Sequence, residues 1–188
     1  MVAKRLIEGL GDNSPEGYDL IFQQREEVGV QASDLRRWKR LLKYYKGGKL
    51  IDLGVLDSQI PAIAHSWHKD AEIYGIDVAP KAIAKMQEKY PFATFLVQDV
   101  YQTSFPPHYF DYAVAGEIIE HLDKPEVFFK EAMRILKKHG ILAVSTPLEE
   151  EKEIGAVDGA RHLWSWSAQD LVDMLSPYGE VKIKYLRS

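Results

Sequence analysis

Short apolar runs and amphipathic stretches alternate along most of the chain. Apolar runs of strand length lie at residues 50–53, 72–78, 94–100, 110–115, 141–145 and 180–186. Stretches with apolar residues at helical spacing lie between them, for example residues 33–46 and 124–138. Strands that alternate with helices favour parallel pairing, because each crossover returns the chain to the same end of the sheet. The pattern therefore predicts an α/β fold with a doubly wound, mostly parallel sheet.

Capping residues indicate where several helices begin. Ser58 is a predicted N-cap, and Pro61 follows in the first turn, where its missing N–H has no helical partner to lose. Ser167 and Asp170 form an S-x-x-D capping box ahead of an apolar run. Asp123 is predicted to cap the long helix that follows it.

Composition and charge narrow the class of protein. The chain has 188 residues, a formal net charge of −4 and no cysteine. This length suits one domain, and the acidic charge argues against a general nucleic-acid binder. The absence of cysteine excludes disulfides and thiolate chemistry. No apolar run approaches the roughly 18 residues that span a membrane, and the N-terminus has no signal-peptide core. We therefore expect a cytoplasmic protein without membrane attachment.

The N-terminal part of the chain is harder to interpret. Its glycine- and proline-rich composition predicts an irregular segment over residues 1–32, ahead of a main domain over residues 33–188. Tyr18 in this segment either lies over the functional site or packs on the surface. The helix at residues 33–46 has a basic face that is either solvated or meets phosphates. This face consists of Arg36, Arg37, Lys39, Arg40 and Lys43.

The first buried strand joins its helix through a glycine turn at Gly54. Free backbone amides at such a helix start favour a negatively charged group. Asp52 either holds the amino-acid end of a cofactor or accepts local backbone N–H groups. Asp77 follows 25 positions later, at the tip of the second strand, where one carboxylate accepts hydrogen bonds from two ribose hydroxyls. Its alternative role is to cap the next helix. The arrangement predicts a nucleotide-type cofactor at the strand ends.

The same stretch resembles motif I of the S-adenosylmethionine-dependent methyltransferases with a Rossmann-like fold, written (D/E)-x-G-x-G-x-G. Asp52 and Gly54 match this motif, whereas Leu56 and Ser58 stand at the second and third glycine positions. The run over residues 110–147 resembles the segment that joins the fourth and fifth strands in small-molecule and ubiquinone-type methyltransferases. Together the resemblance covers about residues 48–186.

This resemblance implies S-adenosylmethionine as the cofactor and a methyl transfer to a small-molecule acceptor. It also implies that the N-terminal segment over residues 1–32 lies over the functional site as a lid. It implies that Asp99 faces the adenine amine and that the backbone N–H of Val100 reaches a ring nitrogen. The complete set of predicted cofactor-binding residues is Asp52, Gly54, Asp77, Val78, Asp99, Val100 and Glu117.

Glu117, Glu120 and His121 place three potential ligand side chains within five residues. Some relatives with a similar E-x-x-E-H run bind a divalent ion there, and His162 is the candidate for a further ligand. The alternative is local pairing of Glu120 with His121. His121 also suits the role of a general base, because imidazole titrates near neutral pH. We expect His121 to be catalytic and the site to hold no metal.

Two other readings stay open. The departure at Leu56 fits a catalytically inactive methyltransferase-fold protein that serves as a binding or scaffold subunit. An enzyme with another nucleotide cofactor, such as NAD, would share the glycine turn and Asp77. The run at residues 180–186 is predicted as the last strand, so the sheet would lack the edge strand that the family adds. A homodimer is left open, and the acceptor is not encoded in any motif.

Overall fold

The computed structural model describes residues 4–5, 14–28, 31–147 and 162–185. The strands are β1 (Lys4–Arg5), β2 (Lys49–Leu53), β3 (Glu72–Asp77), β4 (Thr94–Val97), β5 (Phe110–Gly116), β6 (Leu136–Ser145) and β7 (Trp164–Ser165). The helices are α1 (Pro15–Val28), α2 (Ala32–Leu41), α3 (Ile60–Trp67), α4 (Pro80–Lys89), α5 (Pro125–Ile135) and α6 (Ala168–Leu175). Short 3-10 helices lie at Ile119–His121 and Ser176–Tyr178.

Five strands form one parallel sheet in the spatial order β4-β3-β2-β5-β6. Chain order reverses at β2, whose neighbours are β3 on one side and β5 on the other. In doubly wound sheets this switch point opens a crevice at the carboxyl ends of the strands. The predicted α/β fold with a mostly parallel Rossmann-like sheet is confirmed. A separate antiparallel pair joins β1 to β7, with Arg5 opposite Trp164.

Helices cover both faces of the sheet, because successive strand residues point to opposite sides. Leu50 of β2 belongs to a core shared with α2 and α3, while Ile51 belongs to a core shared with α5 and α6. Tyr112 and Ala113 of β5 divide between the same two cores. The central strands are therefore apolar without alternation, as buried parallel strands require.

Several predicted element boundaries are wrong. Helix α2 ends at Leu41 rather than at residue 46, because the next N–H groups bond three residues back, as from Tyr45 to Leu42. Helix α5 ends at Ile135 rather than at His139, and Leu136 already pairs with β5. The backbone N–H groups of residues 108 and 109 donate hydrogen bonds to the last carbonyls of α5. These bonds fix the end of the helix against the start of β5. Strand β4 ends three residues earlier than predicted.

The two ends of the chain also differ from expectation. Residues 15–28 form a helix, so the predicted irregular N-terminal segment is wrong over that range. The predicted last strand is absent from residues 180–185 of the described structure. Ile183 packs against the core there, but alternating apolar residues make a strand only where a backbone partner is available.

A buried ionic network fixes the loop between β4 and β5. Glu131 of α5 accepts hydrogen bonds from the backbone N–H and the hydroxyl of Thr103, at 2.8 and 2.7 Å. Arg134 binds the same carboxylate, and it lowers the pKa of Glu131 to about 2. This network anchors the loop that follows Asp99.

Among the described helices, none has the length and apolar character needed to cross a membrane.

Candidate active site

The turn after β2 requires a glycine at Gly54. Gly54 has φ +77°, and a Cβ there would lie 2.5 Å from Cδ1 of Ile118. The N–H groups of Gly54 and Val55 both donate to the carbonyl of Ile76, at 2.9 and 3.0 Å. Only glycine combines this backbone conformation with this close approach. The prediction that Gly54 shapes the turn agrees with this geometry.

Leu56 keeps the backbone conformation of a glycine although it carries a side chain. Its φ is +33°, in the left-handed region that disfavours residues with a Cβ. Its N–H donates to Oδ2 of Asp77 at 2.9 Å. Its side chain packs against the small cluster of Phe22, Ala79 and Ala82. The departure from motif I therefore changes what covers the turn and leaves its backbone path in the glycine-like form.

Asp52 is buried beneath this turn, with 2% of its surface exposed. Burial raises its pKa to about 7, while a hydrogen bond from Ser58 acts in the opposite direction. The Ser58 hydroxyl also accepts the N–H of Ile60 at 3.0 Å, but the N-cap position of α3 is occupied by Gln59. The prediction of Ser58 as N-cap is thus wrong by one residue. Oδ2 of Asp52 has no hydrogen-bond partner in the described structure.

Asp77 holds two backbone segments together at the end of β3. Its Oδ2 accepts from Leu56, and its Oδ1 accepts the N–H of Ala79 at 3.0 Å. Burial raises its pKa, and these N–H groups lower it. The backbone N–H of Val78 is a third donor that lowers the pKa of Asp77. A carboxylate has about four lone-pair positions, so about one remains. Asp77 therefore acts first of all to shape the turn.

The predicted adenine residues lie on the loop after β4. Asp99 is exposed, and its Oδ1 accepts the N–H of Tyr101 at 2.9 Å. Val100 beside it is buried. Val78 lies between Asp77 and Ala79 and is half-buried. The structure places these residues beyond the ends of β3 and β4, on the same edge of the sheet as the glycine turn.

Glu117 and Glu120 follow the end of β5. Glu117 has φ +55°, and its N–H donates to the carbonyl of Ser145 at 2.9 Å. Glu120 is 2% exposed; its Oε2 accepts the Thr146 hydroxyl at 3.0 Å, and Oε1 has no hydrogen-bond partner in the part of the chain that is described. Burial, followed by the charge of Glu117, raises the pKa of Glu120 to about 8. Burial therefore favours the protonated form of this carboxyl.

Two histidines complete this half of the site. Nε2 of His121 lies 4.0 Å from Oε1 of Glu120. The ring of His162 approaches that of His121 edge-on, with 4.8 Å between centroids. The N–H of Leu163 donates to the carbonyl of Glu120 at 2.7 Å and fixes the His162 segment there. Burial lowers the pKa of His162.

One ligand atom from each of Glu120, His121 and His162 lies within 4.8 Å of the others, which is close enough to hold a metal ion. Glu117 is not part of this group. The structure thus brings together three of the four groups considered from the sequence. The expectation that the site holds no metal stays a prediction.

Tyr18 joins the two halves of the site. Helix α1 carries it to the ring of His121, with 6.4 Å between centroids in an edge-on contact. Burial raises its pKa, and so do the charges of Asp77 and then Glu120. Asp19 beside it accepts the N–H of Lys81 at 3.0 Å, which ties α1 to the start of α4. Of the two sequence alternatives for Tyr18, the structure shows the position over the site.

Arg37 is a residue that the sequence did not connect with the site. It was assigned to the basic face of its helix, but its positive charge acts on Glu120 and opposes the rise in the pKa of that carboxyl. Its guanidinium also binds Asp34 at 2.9 Å. The available signal was its place beside the buried Trp38, at the edge of the apolar face of α2.

Comparisons with known proteins agree with this geometry. The family model for the methyltransferase domain matches residues 51–144, half of the chain. A protein of Mycobacterium tuberculosis (strain CDC 1551 / Oshkosh), named a probable S-adenosylmethionine-dependent methyltransferase, is 29% identical over 76 residues, or 40% of this chain. That match spans 28% of the relative's own length.

Solved structures show the same fold. The [4+2]-cyclase SpnF matches with a TM-score of 0.73 at 21% identity, over 94% of this chain and 74% of its own. The Burkholderia thailandensis 1,6-didemethyltoxoflavin-N1-methyltransferase, solved with 1,6-didemethyltoxoflavin and S-adenosylhomocysteine, matches with a TM-score of 0.67 at 14% identity. This second match covers 94% of this chain and 83% of that one.

The left-handed backbone of Leu56 predicts an unusual order of stability among variants. Leu56→Ala removes the side-chain packing but keeps a Cβ at φ +33°. Leu56→Gly removes the packing and also relieves a conformational cost of about 1 kcal/mol. We expect the glycine variant to equal or exceed the alanine variant in free energy of unfolding, measured by urea denaturation. At Ala62 of α3, glycine should be less stable than alanine, as in ordinary helices. A less stable glycine variant at both positions would contradict the strained turn.

The buried carboxyl of Glu120 predicts a pH-dependent stability. Its pKa rises from 4.5 in the unfolded chain to about 8 in the folded protein. Because the folded protein binds this proton more tightly, the free energy of unfolding should fall as pH rises through that window. Glu120→Gln stays neutral and should lose less stability, measured by urea denaturation in steps from about pH 5 to about pH 9. The exposed control Glu126→Gln should keep the wild-type slope. Equal slopes for wild type and Glu120→Gln would refute this account.

Proposed function

Because the chain belongs to the methyltransferase domain family, we propose that it transfers a methyl group from S-adenosylmethionine to a small-molecule acceptor. Membership rests on the match over residues 51–144. S-adenosylmethionine is the cofactor: curated relatives are named for it, and a structure with this fold holds S-adenosylhomocysteine. The observation that carries the proposal is the turn at Leu56, which Asp77 holds in a glycine-like conformation.

The residues at the strand ends fit this cofactor. Gly54 lets Ile118 pack directly against the turn, and Leu56 keeps the backbone path of the motif. The buried Oδ2 of Asp52 lacks a hydrogen-bond donor among the described residues, so the ammonium group of an amino acid, or a water that it holds, would satisfy it. We assign Asp52, Gly54 and Glu117 to the amino-acid end of the cofactor.

The remaining cofactor residues follow along the sheet edge. The lone-pair position that Asp77 retains beside its three backbone donors suits a ribose hydroxyl, with Val78 next to it. Asp99 and Val100 are assigned to the adenine ring. This order runs from β2 through β3 to β4, which matches the order of these strands in the sheet.

Methyl transfer requires the protein mainly to bind the cofactor and the acceptor and to orient them toward each other. S-adenosylmethionine, when bound, supplies a methyl carbon that its positively charged sulfur makes electrophilic. Tyr18 covers the site on the side of His121 and excludes water. The acceptor can then approach the methyl carbon in line without competition from water. His121 takes up the proton that an O–H or N–H acceptor loses. Oε1 of Glu120 lies 4.0 Å from Nε2 of His121, where its carboxyl can influence the imidazole, and we propose that this step uses no metal.

The second candidate is a subunit that keeps the fold without methyl transfer. The leucine at the second glycine position of motif I is the observation that favours it. A structure with the same fold is named a cyclase, which illustrates that fold alone does not fix the reaction. Cofactor binding separates the two candidates only in part, so turnover of S-adenosylmethionine with an acceptor is the deciding readout.

Substitution of Asp99 tests the cofactor site with little risk to folding, because this side chain is exposed. Asp99→Ala should weaken the binding of S-adenosylhomocysteine about tenfold, the loss expected for one hydrogen bond of about 1.4 kcal/mol. Asp70→Ala removes an exposed carboxylate from the turn before β3 and should leave the affinity unchanged. Isothermal titration calorimetry measures both. Equal affinities for wild type and Asp99→Ala would remove Asp99 from the site.

A further inference from the structure

A basic and aromatic surface lies outside the site described above. We call it the α2 surface. It is formed by the exposed side of α2, the turn after it and the segment at residues 182–185. Its members are Arg36, Lys39, Arg40, Lys43, Tyr44, Lys182, Lys184 and Tyr185. All eight side chains are exposed, with Tyr44 at 44% and Tyr185 at 67%.

Two lysines from distant parts of the chain meet over one tyrosine ring. Nζ of Lys43 lies 5.5 Å from the ring centroid of Tyr44, and Nζ of Lys184 lies 5.7 Å from the same centroid. The ammonium group of Lys184 lowers the pKa of both Lys43 and Tyr44. Like charges that gather in this way repel one another, and a bound anion would relieve that repulsion.

The charge of the α2 surface is opposite to that of the chain as a whole. Its six lysines and arginines carry +6, whereas the net charge is −4, so the rest of the chain carries −10. One carboxylate pairs with the surface, since Glu180 lies 3.3 Å from Lys182. The acidic net charge argued against a nucleic-acid binder, but this separation of charge is typical of a chain that binds a polyanion through one face.

The packing of α2 distinguishes between polyanions. A basic helix that lies on a membrane inserts its apolar face between the lipids. Here the apolar face of α2 is buried in the protein core, with Trp38 at 4%, Leu41 at 7% and Leu42 at 0% exposure. The exposed side of α2 presents Arg36, Lys39 and Arg40, with Lys43 and Tyr44 in the turn that follows. Exposed aromatic rings among cations are what unpaired nucleic-acid bases stack on.

We propose that the α2 surface binds single-stranded nucleic acid, with the lysines and arginines on the phosphates and Tyr44 stacked on a base. Binding at this surface does not depend on methyl transfer, so it stands or falls separately from the proposed function.

Fluorescence anisotropy with a fluorescein-labelled 12-nucleotide oligoadenylate RNA tests the charge part of the proposal. We expect binding that weakens about 10- to 50-fold between about 50 and 200 mM KCl, as for about four phosphate contacts. The double variant Lys43→Glu, Lys184→Glu should bind at least about tenfold more weakly. The matched control Lys130→Glu, Lys138→Glu makes the same charge change at other exposed positions and should bind like wild type. No binding by wild type, or equal losses in both double variants, would overturn the proposal.

Substitution of Tyr44 tests the stacking part. Tyr44→Ala should weaken oligoadenylate binding about tenfold, whereas Tyr44→Phe keeps the ring and should bind like wild type. Heparin, which has charge but no bases, should bind Tyr44→Ala and wild type equally. Equal RNA binding by wild type and Tyr44→Ala would overturn the stacking assignment. Binding to vesicles of phosphatidylcholine and phosphatidylserine without binding to RNA would assign the surface to membranes and refute the proposal.

Discussion

The candidate site depends on two hydrogen bonds to one buried carboxylate. Asp77 receives the N–H of Leu56 from the turn after β2 and the N–H of Ala79 from the segment after β3. These bonds tie the ends of two neighbouring strands together. A leucine at φ +33° is conformationally costly, and such a residue persists only where its surroundings fix it. Without Asp77 the turn would lose the hydrogen bond that fixes Leu56 in its left-handed conformation.

Buried acidic groups recur along the same edge of the sheet. Asp52 and Glu120 are each 2% exposed, and each has one oxygen without a hydrogen-bond partner in the described structure. Such atoms are costly in a folded protein and occur where a ligand or a water completes them. Tyr18 of α1 contacts the ring of His121, and the charges of Asp77 and Glu120 both act on it. The unsatisfied atoms and this helix favour the same edge of the sheet as the candidate site.

The sequence predicted the fold through features that act locally. Buried strands, helix periodicity and the glycine at Gly54 identify the sheet and its switch point, because each depends on neighbouring residues. The sequence does not predict the end of α5, because a helix-like pattern of residues continues beyond Ile135. In the structure Leu136 instead pairs with Phe110 of β5 and begins a strand. The last predicted strand was wrong because periodicity does not reveal whether a partner strand exists.

The candidate site can be predicted from the sequence only in part. Asp52 and Asp77 are candidates because they end strands, Asp99 gains its role from the family resemblance, and His121 is a candidate through its neighbours in sequence. The meeting of His121 with His162 and the position of Tyr18 are long-range contacts, which sequence spacing leaves open. The α2 surface also needed the structure, because Lys184 and Lys43 lie far apart in the chain. Contacts between segments that are distant in the chain are therefore the part of the structure that the sequence predicts least well.

Calorimetric titration of the wild-type protein with S-adenosylmethionine, and separately with NAD, tests the central claim most directly. If Asp77 holds the Leu56 turn in a form that accepts the cofactor, S-adenosylmethionine should bind with a dissociation constant of about 1–100 µM, or about −8 to −5.5 kcal/mol. NAD should produce no binding heat. Binding of NAD, or no binding of S-adenosylmethionine, would contradict the account and show that the turn serves another purpose.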